Sequence, residues 1–160
     1  MNTTELSVKM ILDRWYAFIK ITDTLLETLS NEQLEHEVAP GKNRGIYLLG
    51  HLIAVHDDMI VLLNFGDKMY PELNEPFLKS PDKAVKDIPS ANELKAMWNK
   101  QNAFLTPKIS SLTADEWFQK HTAVSEEDFA KEPHRNQLNI MITRTNHLSN
   151  HLGQMALLKS

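Results

Sequence analysis

The sequence predicts an all-α protein that folds as a four-helix bundle. Three observations predict this class: apolar residues recur at steps of three and four in four long stretches, capping boxes precede several helical segments, and no stretch alternates polar and apolar residues as a strand does. Four long helices of this kind imply a bundle in which apolar faces pack together. At 160 residues, the chain fits a single domain, 1–160.

The first predicted helix covers about residues 4–29. A capping box formed by Ser30 and Gln33 then opens a short helical turn, which Pro40 ends. The apolar positions that share one face of the first helix are Val8, Ile11, Trp15, Phe18, Ile21, Leu25 and Leu29.

The second long helix covers residues 46–65, and Gly66 is expected to end it. This stretch is apolar on most sides, which is typical of a helix buried between neighbours. Residues 66–89 are predicted to form a long irregular crossover with at most short helical pieces, because proline interrupts regular structure. The prolines in this crossover are Pro71, Pro76, Pro81 and Pro89.

The third long helix begins at a capping box of Ser90 and Glu93 and runs to about Leu112, with a bend expected at Pro107. A capping box of Thr113 and Glu116 follows, but residues 113–134 are mixed in character and predict short helix and loop. The fourth long helix runs from about residue 136 nearly to the C-terminus, with apolar positions at Leu138, Met141, Ile142, Leu148, Leu152 and Met155.

The composition excludes several kinds of partner and site. The formal net charge is -4 and no cluster of Lys and Arg occurs, so we expect neither nucleic acid nor an anionic membrane as a partner. The chain has no cysteine, so a transition-metal site must use His, Asp and Glu. The sequence shows neither a secretory signal nor an apolar run long enough to span a bilayer, and we expect a cytoplasmic location.

Two histidines, His147 and His151, lie four residues apart in the fourth long helix. Side chains at this spacing share one helix face, so the two imidazoles can bind one ion. Position 148 is Leu, which excludes the His-Glu-x-x-His arrangement of zinc proteases. The spacing also arises by chance, so two polar residues on a bundle helix remain the alternative.

His51 is the best candidate for a third ligand, because it lies in the most apolar segment, where an unpartnered imidazole is costly. The alternative is a core histidine that hydrogen-bonds a backbone carbonyl. Gly50 and Gly153, beside the candidate ligands, favour a close approach of helices. His56 follows His51 by five residues and therefore points away from it.

Three further residues are candidates for the chemistry. Asp58 lies seven residues after His51 and therefore on the same helix face. It is the least unsuitable general base; its other candidate roles are to accept a hydrogen bond from a metal-binding histidine or to contact the substrate. Arg144 and Gln154 flank the histidine pair by three residues and are candidate substrate-binding residues. For all three, an ordinary surface position is the alternative. The histidines that fall in connectors, and that we expect to be solvated, are His36, His121 and His134.

Two runs of the sequence resemble a known family. APGKNRGIYLLGHL (39–52), which follows LSNEQL (29–34), and RTNHLSNHLGQMALLK (144–159) are similar to the DinB-like superfamily of helical bundles, which includes metal-dependent hydrolases of the YfiT type. The specific features are one His after Leu-Leu-Gly and a His-x-x-x-His followed by Gly-Gln. Leu152 departs from the family, in which Arg is frequent at this position, so the substrate contacts are open.

The resemblance implies that His51, His147 and His151 bind one divalent metal ion, often nickel or zinc, inside a bundle of up-down-down-up topology. The long crossover agrees with this topology. It also implies an enzyme that acts on a small molecule, either as a hydrolase or as a transferase that activates a low-molecular-weight thiol. The alternative is a non-enzymatic, metal-stabilised bundle that serves as a binding or dimerisation module, since homodimers are common among similar proteins.

Overall fold

The structure is a computed structural model that describes residues 1–159. This range contains seven α-helices, four of them long. Two isolated β-bridges are the only strand-like pairings in this range. The protein is therefore all-α, as predicted. The helices are Thr3–Thr28 (α1), Asn31–Leu34 (α2), Gly45–Leu62 (α3), Ala91–Ser111 (α4), Ala114–Trp117 (α5), Glu126–Lys131 (α6) and Gln137–Met155 (α7).

The helix starts follow the predicted capping boxes. At Ser30, Ser90 and Thr113 the side-chain oxygen accepts a hydrogen bond from the backbone N–H three residues later, and the Gln or Glu there accepts one from the cap. Asn2 and Glu5 form a further box in front of α1. These reciprocal bonds satisfy backbone donors that a helix start leaves free, and so they fix where each helix begins.

One helix end differs from the prediction. α3 ends at Leu62 rather than near residue 65. Asn64 adopts a φ of 57°, a left-handed conformation that Asn tolerates, and so reverses the chain before Gly66 is reached. α4 continues through Pro107 to Ser111, so its end agrees with the prediction.

The crossover between α3 and α4 is irregular, as predicted, and its helical content is short. It holds a 3₁₀ turn at Pro71–Leu73 and a single π-helical turn at Glu75–Lys79. The crossover is fastened to the start of α3 by Arg44, which donates hydrogen bonds to both carboxylate oxygens of Asp82. It therefore lies against α3 rather than projecting into solvent.

α3 is the central helix of the bundle and packs against α4, α7 and the crossover. Contrary to the expectation from the sequence, α3 is long and apolar enough to cross a bilayer by length and composition, and it is the one described helix that is; most of that stretch is buried within the protein. Packing in the core accounts for its hydrophobicity. The large side chains that complete the core include Trp15, Trp98, Trp117 and Phe77.

The direction of α1 relative to α4 follows from hydrogen bonds between them. Tyr16 bonds Ser110 near one end, and Asp23 accepts from the indole of Trp98 further along. Residue numbers rise along α1 as they fall along α4, so these helices are antiparallel. The predicted up-down-down-up order requires this relation, while the order of all four helices around the bundle stays a prediction.

Candidate metal centre

Three imidazole nitrogens converge between α3 and α7. Nε2 of His147 lies 3.1 Å from Nε2 of His51 and 3.0 Å from Nε2 of His151. All three atoms lie within 4.8 Å of one another. In a tetrahedral zinc site with Zn–N bonds of about 2.0–2.1 Å, neighbouring ligand atoms are roughly 3.3 Å apart. The three side chains that the sequence singled out therefore share one point and can hold a metal ion.

Two of the three rings are oriented by hydrogen bonds on their outer side. Nδ1 of His51 donates to the backbone carbonyl of Phe77 at 2.8 Å, and Nδ1 of His151 donates to Oε1 of Gln154 at 2.7 Å. Because each oxygen only accepts, each Nδ1 carries the proton and each Nε2 presents a lone pair to the shared point. This arrangement is typical of metal-binding histidines.

The third ring, His147, has no such outer partner, since its Nδ1 is buried without a hydrogen bond. In the metal-free protein, Nε2 of His51 and Nε2 of His151 each present a lone pair. A single N–H on Nε2 of His147 is the only proton available to hydrogen-bond them. A cation instead accepts all three lone pairs. The donor set thus fits a divalent ion better than it fits a network of hydrogen bonds among the rings.

The pKa values keep two of these rings neutral near pH 7. Burial lowers the pKa of His147 to about 4, and the neighbouring rings of His151 and His51 add to the effect. Burial also lowers the pKa of His51, although the bond to Phe77 opposes the shift. A metal ligand must be unprotonated, so these shifts favour metal binding at neutral pH.

Gly50 allows the contact that orients His51. A Cβ at Gly50 would lie 2.4 Å from the ring of Phe77, which is fully buried in the π-helical turn. The missing side chain therefore lets Phe77 lie against α3, with its carbonyl at the imidazole. The predicted close approach is confirmed for Gly50 but is wrong for Gly153, where a Cβ would meet nothing within 4 Å.

The model of the DinB superfamily matches residues 14–155 of this sequence. The chain belongs to the DinB superfamily. A solved structure, that of a conserved protein from Enterococcus faecalis, superposes with a TM-score of 0.61 at 17% identity, covering 99% of this chain and 96% of that one. This likeness shows the fold. No curated protein matches the sequence.

Within this DinB-superfamily bundle, the predicted accessory residues take up different positions. Asp58 is half-exposed and forms an ion pair with Lys68 of the crossover. Gln154 orients His151, as described above, and its predicted role in substrate binding is untested. Arg144 is half-buried one turn before His147, and its charge helps to lower the pKa of His147, after burial and the other two rings.

Four histidines of the DinB-superfamily protein lie outside the centre. His36 and His134 are exposed, as expected, and His121 is half-buried with Nδ1 accepting from the backbone of Ala123. His56 is fully buried between the rings of Trp15 and Trp98, at centroid distances of 5.0 and 5.4 Å, and neither ring nitrogen has a partner. The spacing of five residues predicted that His56 points away from His51. No clear signal in the sequence predicted that His56 is buried.

Sequence reasoning also missed the buried carboxylate next to Asp58. Asp57 is fully buried and accepts hydrogen bonds from the backbone N–H of Tyr70 at 2.5 Å and from the amide of Gln101 at 2.6 Å. Burial raises its pKa, against these bonds. Asp57 on α3 is thereby bonded to both α4 and the crossover. A charged residue in an otherwise apolar helix was the available signal.

Proposed function

We propose that this protein is a metal-dependent enzyme that acts on a small molecule through His51, His147 and His151, with nickel or zinc as the ion. The observation that carries the proposal is the meeting of three Nε2 atoms, two of them held by outer hydrogen bonds with their lone pairs facing inward. Membership of a metal-associated family supports it further.

An ion held by these residues would supply chemistry at the edge of the core. All three ligand residues are partly exposed, and none is fully buried. Three neutral imidazoles leave the full charge on a bound dication, which polarises a coordinated water or thiol and lowers its pKa. This chemistry supports two reaction classes, hydrolysis of an ester, amide or lactone and transfer that uses a low-molecular-weight thiol.

Asp58 remains the candidate proton acceptor, although its carboxylate is shared with Lys68. Breaking this ion pair frees the carboxylate to take a proton from a nucleophile near the centre. A nucleophile whose pKa the ion already lowers needs only a weak base, so the half-exposed Asp58 is sufficient for this role. An Asp58→Asn variant is expected to lose turnover while keeping its metal.

The proposal is tested first by metal content. We expect one divalent ion per chain by elemental analysis of the purified protein, and a lower melting temperature after a chelator removes it, because a ligand that binds only the folded state stabilises it. His147→Ala should lose both the ion and the chelator effect. His134→Ala, an exposed histidine outside the centre, should keep both.

The reaction class is tested next with the metal-loaded protein. Ester, amide and lactone substrates are offered without thiol, and an electrophile is offered with a small thiol. Turnover that needs both the ion and the thiol identifies a transferase, whereas turnover without thiol identifies a hydrolase. Stoichiometric metal without turnover in either panel favours the binding or dimerisation module, and absence of stoichiometric metal removes the enzyme proposal.

A further inference from the structure

The metal centre carries an excess of positive charge. Its three ligands are neutral imidazoles, so a bound dication keeps both charges. Arg144 adds a guanidinium on α7, and the one carboxylate whose charge acts on it, Asp58, is already paired with Lys68. Like charges so close together are unfavourable in a partly buried site unless an anion lies between them. The centre is therefore built to receive a negative group.

Arg144 is the side chain with donors to spare. It is half-buried, and its Nε is buried with no hydrogen-bond partner. Within residues 1–159 no carboxylate lies in ion-pair distance of it. Burial lowers the pKa of Arg144, and the negative charge of Asp58 opposes the shift without contacting the guanidinium. A guanidinium has five N–H donors in a planar fork that matches a carboxylate. The unpaired donors of Arg144 therefore favour binding of a carboxylate ligand.

The position of Arg144 on α7 fixes where that ligand lies. Arg144 precedes His147 by three residues, so both side chains leave the same face of the helix about 4.5 Å apart along its axis. The guanidinium thus leaves α7 on the face that carries His147, within one helical turn of the metal centre.

We propose that Arg144 binds a carboxylate of the substrate, placed about one helical turn from the substrate atom that coordinates the metal. The inference rests on the proposed function and names the substrate class of that site: a small molecule with one metal-coordinating group and one carboxylate. A single guanidinium matches the single charge and two oxygens of a carboxylate. The other nearby cation, Lys68, is occupied by Asp58.

The experiment uses the protein loaded with cobalt(II), whose absorption spectrum reports a bound thiolate. Probes are mercaptoacetate, 3-mercaptopropionate and 4-mercaptobutanoate, each compared with the mercapto alcohol of equal length. The readout is the ratio of dissociation constants, alcohol over acid, for wild type and Arg144→Met. For the acid that binds best, we expect this ratio to be at least about tenfold higher in the wild type than in Arg144→Met. The variant loses the charge-assisted bidentate bond to the carboxylate.

Comparison with Arg144→Met removes the part of the acid preference that comes from chelation of the ion itself. Arg144→Lys should keep the charge but lose the fork, and so give an intermediate ratio. Arg14→Met, an exposed arginine on α1, should match the wild type. Arg144→Gln is measured as a second variant without the guanidinium, and a melting curve and cobalt stoichiometry for each variant show that fold and metal site are intact.

The outcomes separate this inference from the proposed function. If the protein takes up no cobalt, the metal centre itself fails. If cobalt and thiols bind but the alcohol-to-acid ratio is the same in wild type, Arg144→Met and Arg144→Gln, the metal centre stands and the carboxylate site is overturned. A ratio that falls in both Arg144 variants and not in Arg14→Met supports the proposal.

Discussion

The backbone carbonyl of Phe77 accepts a hydrogen bond from Nδ1 of His51 at 2.8 Å. This bond connects the π-helical turn of the crossover to the ligand from α3. π-Helical turns are rare and occur frequently at functional sites, because they displace one carbonyl from the regular helical pattern. Here the Phe77 carbonyl sets the tautomer and the direction of the His51 ring, which belongs to the candidate metal centre. The crossover is thus part of the metal centre and not only a connection between two helices.

Replacement of Gly50 by alanine should loosen this connection. The new Cβ would lie 2.4 Å from the Phe77 ring, so the ring and its carbonyl must move away from His51. We expect overpacking to lower the free energy of unfolding by about 1–3 kcal/mol. Loss of the outer hydrogen bond should weaken metal binding roughly tenfold to hundredfold. Denaturant titration of the metal-free protein and competition with a chromophoric chelator measure the two effects.

Gly153→Ala is the matched control, because its Cβ would meet nothing within 4 Å. It should leave metal affinity unchanged and raise the free energy of unfolding by up to about 1 kcal/mol, since alanine favours the helix over glycine. Unaltered metal affinity in a folded Gly50→Ala protein would show that Phe77 does not position His51.

Gln154→Leu should weaken the metal site through its other outer bond. Oε1 of Gln154 accepts from Nδ1 of His151 at 2.7 Å, and leucine cannot accept. Without that acceptor the His151 ring samples both tautomers, and metal affinity should fall roughly tenfold to hundredfold. Asn150→Leu, an exposed change on the same helix, should not affect it. Equal chelator competition curves for Gln154→Leu and wild type would contradict this role.

The buried His56 should make the protein sensitive to acid. Burial lowers the pKa of His56 to about 3, and the charges of His147, Arg144 and His51 add to the shift. Between its unfolded pKa near 6.5 and about 3, the unfolded chain binds this proton and the folded chain does not. The stability that comes with neutral His56 is therefore complete above pH 6.5. Below pH 6.5, this contribution to the free energy of unfolding falls by up to about 1.4 kcal/mol per pH unit.

His56→Leu should remove this dependence. The free energy of unfolding of the metal-free variant should change less between pH 7 and pH 4 than that of the wild type. At neutral pH the variant should be at least as stable, because two buried nitrogens without partners are replaced by carbon. His134→Leu, at an exposed site, should keep the wild-type slope. A parallel pH profile for His56→Leu and wild type would show that His56 does not carry the effect.

The bond between Arg44 and Asp82 should stabilise the crossover. Burial alone would raise the pKa of Asp82, but hydrogen bonds from Arg44 hold it below its usual value. The side chains are only 19% and 6% exposed. Arg44→Met removes the guanidinium and leaves that carboxylate only its backbone N–H donors, and we expect a loss of about 2–4 kcal/mol in the free energy of unfolding.

Lys131→Met provides the comparison, because its ion pair with Glu127 has side chains that are 65% and 80% exposed. Its cost should stay below about 1 kcal/mol. The two losses are compared by denaturant titration at pH 7. Equal losses in the two variants would mean that the Arg44 pair is no more than a surface contact.

Much of the fold could be predicted from local sequence signals. The capping boxes at Ser30, Ser90 and Thr113 lie where helices begin, because their hydrogen bonds involve only residues three apart. The end of α3 was placed too late, since both Asn64 and Gly66 can take a positive φ and the sequence does not say which one reverses the chain. Local chemistry thus predicts where a helix starts better than where it ends.

The meeting of the three histidines was predicted for a similar reason. The spacing of His147 and His151 is a property of one helix, and His51 stood out in an apolar segment. The partners of these rings were harder to predict, because the carbonyl of Phe77 belongs to an irregular segment without periodicity. The burial of His56 depends on side chains from two other helices. The cytoplasmic location and the homodimer stay predictions.

X-ray absorption at the metal edge shows which atoms bind the ion. The protein is loaded with one equivalent of zinc or nickel and compared with His51→Ala. We expect three imidazole nitrogens at about 2.0–2.1 Å in the wild type and fewer in the variant. A first shell of oxygen atoms alone, identical in the two proteins, would contradict this expectation.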